Sequence, residues 1–242
     1  MNVLPTTRRH EGIFGLLAAS AIISLWFLSL FFLLSNGVTN LPGWLILPAI
    51  LWQTFLHTGL FITAHDAMHG SVFPDNGHLN DAIGRFCVIL YALFSFRKLQ
   101  TEHWEHHSHP ASEQDPDFHD GRHPEYWAWY GNFLKHYVGF WQIVGMAAVF
   151  NILEHGMGVA VGDLLLFWVL PSVLSTLQLF TFGTYLPHRE QPEGYRDQHR
   201  ARSNDYGTWW SFVSCYHFGY HWEHHAYPFV PWWKLPRVRK KR

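Results

Sequence analysis

The sequence predicts an all-α integral-membrane protein: four transmembrane helices in two hairpins, with interfacial helices and a histidine-rich cap gathered on one face. Three observations carry that expectation. The 242 residues are 48% hydrophobic and only 14% charged, where an ordinary soluble domain carries about 25% charged residues. Four segments are long and apolar enough to cross a bilayer, which takes about 20 residues. Nineteen histidines crowd chiefly into the polar segments between and after them. Mean hydropathy is near zero, but the histidines and 13 tryptophans depress it while whole segments stay apolar. The local pattern therefore outweighs the average.

The first span covers residues 13–35 and holds no charge. It is too long for a signal-peptide core of about 7–15 apolar residues, and no small-residue cleavage site follows it. The second, 41–64, contains only Gln53 and His57 as strongly polar positions. A weaker apolar stretch, 82–96, is interrupted by Gly84 and Arg85 and is too short to cross. It reads as an interfacial or re-entrant helix. The third span, 137–153, is somewhat short, and the fourth runs over 163–186. Short turns rich in Gly, Asn and Pro close each pair into a hairpin.

A single domain thus occupies residues 1–242, with polar segments at 65–136 and 187–242. All 17 Lys and Arg fall on one side of this arrangement. They comprise Arg8, Arg9, those within 65–136 and those after Leu186, while the two opposite turns hold none. By the positive-inside rule both termini and both polar segments are cytoplasmic, as for a protein of a bacterial inner-type membrane. A fifth span would put one terminus on the wrong side. The basic tail from Arg237 to Arg242 reads as a topology determinant or a contact to anionic lipid, and no nucleic-acid partner is expected. Cys87 and Cys215 have no neighbouring cysteine and read as buried small hydrophobes.

The histidines carry the chemistry. His65 and His69 stand four residues apart at the cytoplasmic end of the second span, so one helix face can aim both at one metal. His103-Trp-Glu-His106-His107 and His221-Trp-Glu-His224-His225 repeat one five-residue string. In each, positions i, i+3 and i+4 share a face. His188 closes the fourth span at the depth of His65. Nine imidazoles exceed the three or four that one zinc ion uses, and fit two metals with open positions. Imidazole suits iron, copper, nickel and zinc alike; a membrane position beside an apolar substrate favours O2 chemistry and hence iron. Ligating histidines usually donate their second N–H to a carboxylate or carbonyl. Asp66, Glu102, Glu105, Asp115, Asp117 and Glu223 are candidates for that role, and His217 stands beside the third cluster as a further one. Trp127, Trp129, Tyr130, Phe133, Trp209, Trp210, Trp232 and Trp233 either line an apolar tunnel or form an interfacial belt.

The HxxxH, HxxHH, HxxHH series on a four-span frame resembles the integral-membrane fatty acid desaturase and hydroxylase superfamily. Within it, five strings look like the bacterial β-carotene ketolase branch. They are His65-Asp-Ala-Met-His-Gly-Ser71, Phe94-Ser-Phe-Arg-Lys98, Asp115-Pro-Asp-Phe118, Phe182-Gly-Thr-Tyr-Leu-Pro-His-Arg189 and the run from His217 to His225. The resemblance covers residues 60–230.

It implies a membrane desaturase-like fold and a non-heme di-iron enzyme that uses O2 as co-substrate. Its metals would rest on the nine histidines, with Asp115 and Asp117 near the reaction or the substrate. It further implies oxidation of the C4 methylene of a β-carotene ring through an alcohol to a ketone, giving echinenone and then canthaxanthin. A non-polarised allylic C–H bond calls for a redox metal with O2, which acid–base groups cannot replace. The chain has no GxGxxG after a strand and no CxxC-type iron–sulfur set. Electrons are therefore expected from an external donor such as ferredoxin. The metal motifs would equally serve a carotenoid ring hydroxylase or a membrane fatty acyl desaturase or hydroxylase. A membrane metal transporter is disfavoured, since transporters hold ligands near the bilayer midplane.

Overall fold

The computed structural model describes residues 5–241, with side chains from Glu11 onward. The side chains of Arg8, Arg9 and His10, and all of Arg242, lie outside the described residues. Among the described residues every regular element is helical. Three helices are long and apolar enough to cross a membrane: Glu11–Asn36 of α1 (Pro5–Asn36), α2 (Gly43–Met68) and α7 (Val161–His188). Their outward faces carry exposed Leu17, Leu28, Phe31, Trp44 and Leu47. Such area on a soluble monomer would be a large apolar patch; on a membrane protein it is the surface that meets lipid.

The expected interfacial helix at 82–96 and the expected span at 137–153 both differ from the observed elements. α3 (Gly77–Ala92) starts earlier, because the Asn76 side chain accepts the Leu79 N–H at 3.0 Å and caps it. It stops at Leu93, whose left-handed backbone (φ 56°) ends the ladder. Ser95 then caps α4 (Phe96–Ser108), and the two helices meet at 100°. In the same way α5 (Tyr126–Tyr137) breaks at Val138 and Gly139, which are extended, and α6 (Phe140–Gly156) leaves at 86°. α6 alone is shorter than the crossing rule asks; each bent pair reaches it only when taken together.

α7 is not a uniform helix. Leu165–Val169 and Phe180–Tyr185 are wider π-helical turns, and each stands just before a proline, Pro171 or Pro187. A proline inside a helix lacks its N–H and crowds the carbonyl four residues back. An inserted π turn relieves that crowding and rotates everything beyond it. The second turn carries His188 to the inward face of the helix, where it is buried.

Buried polar contacts fix how the helices stack. The neutral His57 ring accepts from Trp26 Nε1 of α1 at 3.1 Å and donates through Nε2 to the Tyr91 carbonyl of α3 at 3.0 Å. One imidazole of α2 thereby sets three helices. Asp163 accepts the Val38 N–H at 2.7 Å, tying the turn after α1 to the start of α7. The Tyr126 and Tyr130 hydroxyls of α5 pair with Thr181 and Thr176 of α7 at 2.7 and 2.6 Å. α5 is thus held against the inner half of α7. The chain closes with α8 (Thr208–Cys215), α9 (His221–Ala226) and α10 (Leu235–Arg239). Cys87 and Cys215 are free and fully buried.

Candidate metal centre

α2, α4, α7 and α9 end in one place, and their histidines meet there in two sets. His65, His69, His103 and His224 form one; His106, His188, His221 and His225 form the other. Within each set the nitrogens lie within 4.8 Å of one another. His107 joins the first set, with Nε2 3.1 Å from His103 Nε2 and 2.9 Å from His224 Nε2. His69 Nε2 lies 2.7 Å from His103 Nε2, and His225 Nε2 stands 3.1 Å from both His106 and His221 Nε2. The sets abut through the His107 and His225 rings, stacked 4.2 Å apart. The eight histidines singled out by spacing come together, and His188, singled out by its place at the end of the fourth span, joins them.

These nitrogens fit a metal better than they fit each other. A ring nitrogen has either one hydrogen or one lone pair to offer, yet His103, His107 and His225 Nε2 each face two partners. Neighbouring ligands at right angles around a metal, with bonds of about 2.1 Å, would sit about 3.0 Å apart, the spacing seen here. His65 Nε2 and His188 Nε2 are buried with no partner at all. In His188 the tautomer is set: Nδ1 donates to the Arg200 carbonyl at 2.9 Å, so the orphaned Nε2 presents its lone pair to the second set. A cation at each convergence would answer these unmet groups.

The protonation states agree with that chemistry. Burial, then repulsion among neighbouring rings, holds His69, His103, His107, His221, His224 and His225 well below the usual histidine range. They stay neutral and able to ligate near pH 7. His106 goes the other way. Burial pulls it down, but the charge and hydrogen bond of Asp115, with Asp117 nearby, lift it to about 9.

The candidate carboxylates divide. Asp115 accepts from His106 Nδ1 at 2.9 and 3.0 Å, and from the Ala111 and Asp117 N–H groups at 2.7 and 2.8 Å. It orients a ring of the second set. Burial would raise its carboxyl, but His106 holds it below the usual range, whereas burial lifts Asp117 above it. Asp66 approaches His65 Nδ1 only to 3.6 Å and accepts the Trp232 N–H at 3.0 Å. Glu223 is buried with Ser203 and Arg239 as partners.

Glu102 and Glu105 are not brought to the cluster. Glu102 pairs with His136 at 3.0 Å and Glu105 with exposed His109 at 3.3 Å; Glu105 points away from the face of His103, His106 and His107, whereas Glu102, one turn before His106, is turned to His136 instead. His217 also stands apart from both sets. Its left-handed backbone (φ 63°) turns the ring onto Tyr220, 5.6 Å away, and burial lowers it to about 4.

An apolar cavity of about 90 Å3 opens onto the centre. Phe61, Met68, Phe133, Leu179 and Phe218 line it, and His65, His103, His106 and His221 complete its wall. Of the aromatic residues weighed for a tunnel, Phe133 takes that part. Trp129 is buried beside it, donating to the Asp117 carbonyl at 2.7 Å. Trp127, Trp209 and Trp210 are exposed, as a membrane-interface belt requires. Tyr137 is a cavity residue that sequence reasoning missed; its signal was a lone phenol at the start of an apolar run.

Fold and site together define a helical membrane protein built around paired polyhistidine clusters. The chain belongs to the fatty acid desaturase family, whose model, described as "Fatty acid desaturase", matches residues 42–152 and 137–242. It is 44% identical over 191 residues to "Beta-carotene ketolase" of Paracoccus sp. (strain PC1), covering 77% of this chain and 76% of that one. It is 42% identical over 192 residues to "Beta-carotene 4-ketolase 3" of Haematococcus lacustris, covering 77% of this chain but only 59% of the relative. With "Zeaxanthin 4-ketolase" of Chlamydomonas reinhardtii it shares 38% identity over 232 residues, 94% of this chain and 52% of the relative. The chain thus spans little more than half the length of the algal relatives.

Proposed function

We propose that the chain is a di-iron, O2-dependent ketolase that oxidises the C4 methylene of β-carotene rings. The observation that carries this reading is the apolar cavity whose wall holds nitrogens of both histidine sets, His65 and His103 of one, His106 and His221 of the other. A hydrocarbon ring entering from the bilayer would meet both centres there. Similarity to ketolases of bacteria and algae supports the choice of substrate. Two iron ions on the nine histidines would supply oxidation of a non-polarised allylic C–H bond with O2.

The chain's own residues do the rest. Phe61, Met68 and Phe218 exclude water from the ring, and Asp115 keeps His106 in one orientation. Each oxidation consumes one O2, two electrons and two protons and releases one water. The first turns CH2 into CHOH. The second yields a geminal diol, which loses water to leave the ketone, giving echinenone and then canthaxanthin after the second ring. Electrons come from a separate carrier of ferredoxin type. Both termini and the histidine sets face the cytoplasm in a four-span arrangement, following the one-sided distribution of Lys and Arg.

The test is pigment analysis after expression in cells that accumulate β-carotene. Echinenone and canthaxanthin are the expected products. Zeaxanthin would replace the ketolase reading with a ring hydroxylase, and unchanged β-carotene with protein and iron both present would favour an acyl-lipid substrate.

A further inference from the structure

Most of the cavity wall is hydrocarbon, and its one carboxylate belongs to a hydrogen-bonded pair beside His106. Asp117 and Tyr137 both line the cavity, and the Tyr137 hydroxyl donates to Asp117 Oδ1 at 2.5 Å. The two come from different elements, the loop after α4 and the end of α5. The carboxyl keeps a free edge: Oδ2 is 3.8 Å from His106 Nδ1, beyond hydrogen-bond reach, and 14% of the side chain remains accessible. Asp115, two residues away, has both oxygens occupied by His106 and by backbone N–H groups. The neighbours are therefore not duplicates. One orients a histidine, and the other faces the substrate space.

A carboxyl oxygen that lacks a hydrogen-bond partner on a mostly apolar wall is costly to keep unless something polar arrives there. β-Carotene is a hydrocarbon and brings nothing. The first polar atom in the sequence of reactions is the oxygen put on C4.

We propose that Asp117, held by Tyr137, is the acceptor for the C4 hydroxyl of the half-oxidised ring. This inference rests on the ketolase reading. The pair retains the alcohol beside His106, with its remaining C4–H still toward the centre, so that the second oxidation precedes release. Asp117 and Tyr137 then decide whether the product is a ketone or an alcohol, a distinction that the histidine motifs do not make. The same acceptor would tolerate a ring that arrives already carrying a hydroxyl at C4.

The experiment compares the wild-type chain with Asp117→Leu, Asp117→Asn and Tyr137→Phe, as iron-loaded enzyme in membranes, on β-carotene and on 4-hydroxy-β-carotene. In Asp117→Leu the KM for the alcohol is expected to rise about tenfold, the size of one lost hydrogen bond to a charged group. Bound iron stays at the wild-type value, the KM for β-carotene changes less than that for the alcohol, and 4-hydroxy products are released. Asp117→Asn, which keeps an acceptor oxygen, restores part of the ketone. Tyr137→Phe shifts products the same way without altering the carboxyl, and decides the matter if Asp117→Leu does not accumulate. Unchanged product ratios with an unchanged KM for the alcohol would overturn the role. So would loss of the first oxidation in an iron-replete variant. The wild-type control separates the two claims: no ketone from wild type removes the ketolase reading itself, while ketone from wild type and variants alike removes only this inference.

Discussion

His106 and His107 are adjacent in sequence yet serve different sets, His106 joining His188, His221 and His225 while His107 reaches His103 and His224. Successive residues on a helix diverge by about 100°, so neighbouring rings can aim at neighbouring convergences. His107 and His225 also stack where the sets meet. Replacing either with alanine is expected to abolish turnover and lower bound iron while the protein still accumulates in the membrane. Membrane fractionation, metal analysis and pigment assay read this directly, and full activity would remove both residues from the ligand set. His199→Ala should be tolerated, since its ring centroid remains 6.4 Å from that of His225. The i, i+3, i+4 spacings made eight of the histidines legible in the sequence, because helical phase alone brings such positions to one face, and His188 was legible from its place at the end of a span. The division of labour between Asp115 and Asp117 was not legible. It depends on loop geometry that no periodicity encodes.

At the level of elements, the helix ends matter more than the helix middles. Gly183 sits in the second π turn of α7, and a Cβ there would stand 2.0 Å from the Phe218 ring. Phe218 belongs to the tight turn leading into α9, where Tyr216 and His217 already hold left-handed backbone. Gly183→Ala is therefore expected to push that turn away, costing about 1–3 kcal/mol as overpacking does. It should lower bound iron and the melting temperature in detergent together. Wild-type iron content in that variant would show that the turn adapts. The prolines that accompany the π turns were visible in the sequence, but the turns were not, since apolar periodicity does not report one inserted residue. The break of α5 from α6 was likewise hidden, because Val138 and Gly139 interrupt an otherwise continuous apolar run. Caps such as Asn76 and Ser95 were readable from residue type and would have moved the boundaries of 82–96 to those observed.

For the whole molecule, the number of spans turns on α6. Four spans put the turn after Gly156 on the face opposite the histidines, together with the turn at 36–40, and the Asp163 bond to Val38 already joins those two turns. A Gly158→Cys variant is expected to react with a membrane-impermeant thiol reagent added from outside intact cells. A cysteine placed at Glu190 should react only after the cells are opened. The reverse pattern, Glu190 reacting from outside and Gly158 only after the cells are opened, would take α6 out of the count and leave three spans. Composition made the helical membrane class legible, because lipid-facing surface leaves an unmistakable deficit of charge. The stacking order of the helices was not, since it rests on single buried contacts such as that of His57 with Trp26 and Tyr91.

No contiguous stretch of chain owns either histidine set. The first draws on α2, α4 and α9, and the second on α4, α7 and α9. Both wait for α9, which is made after the other helices that carry these histidines. During synthesis the nascent chain can insert and stack its long helices while still lacking the nitrogens that close either convergence. Maturation is then an assembly step of its own, later than insertion, and a growing polypeptide in the membrane holds no reactive centre before its scaffold exists to contain one.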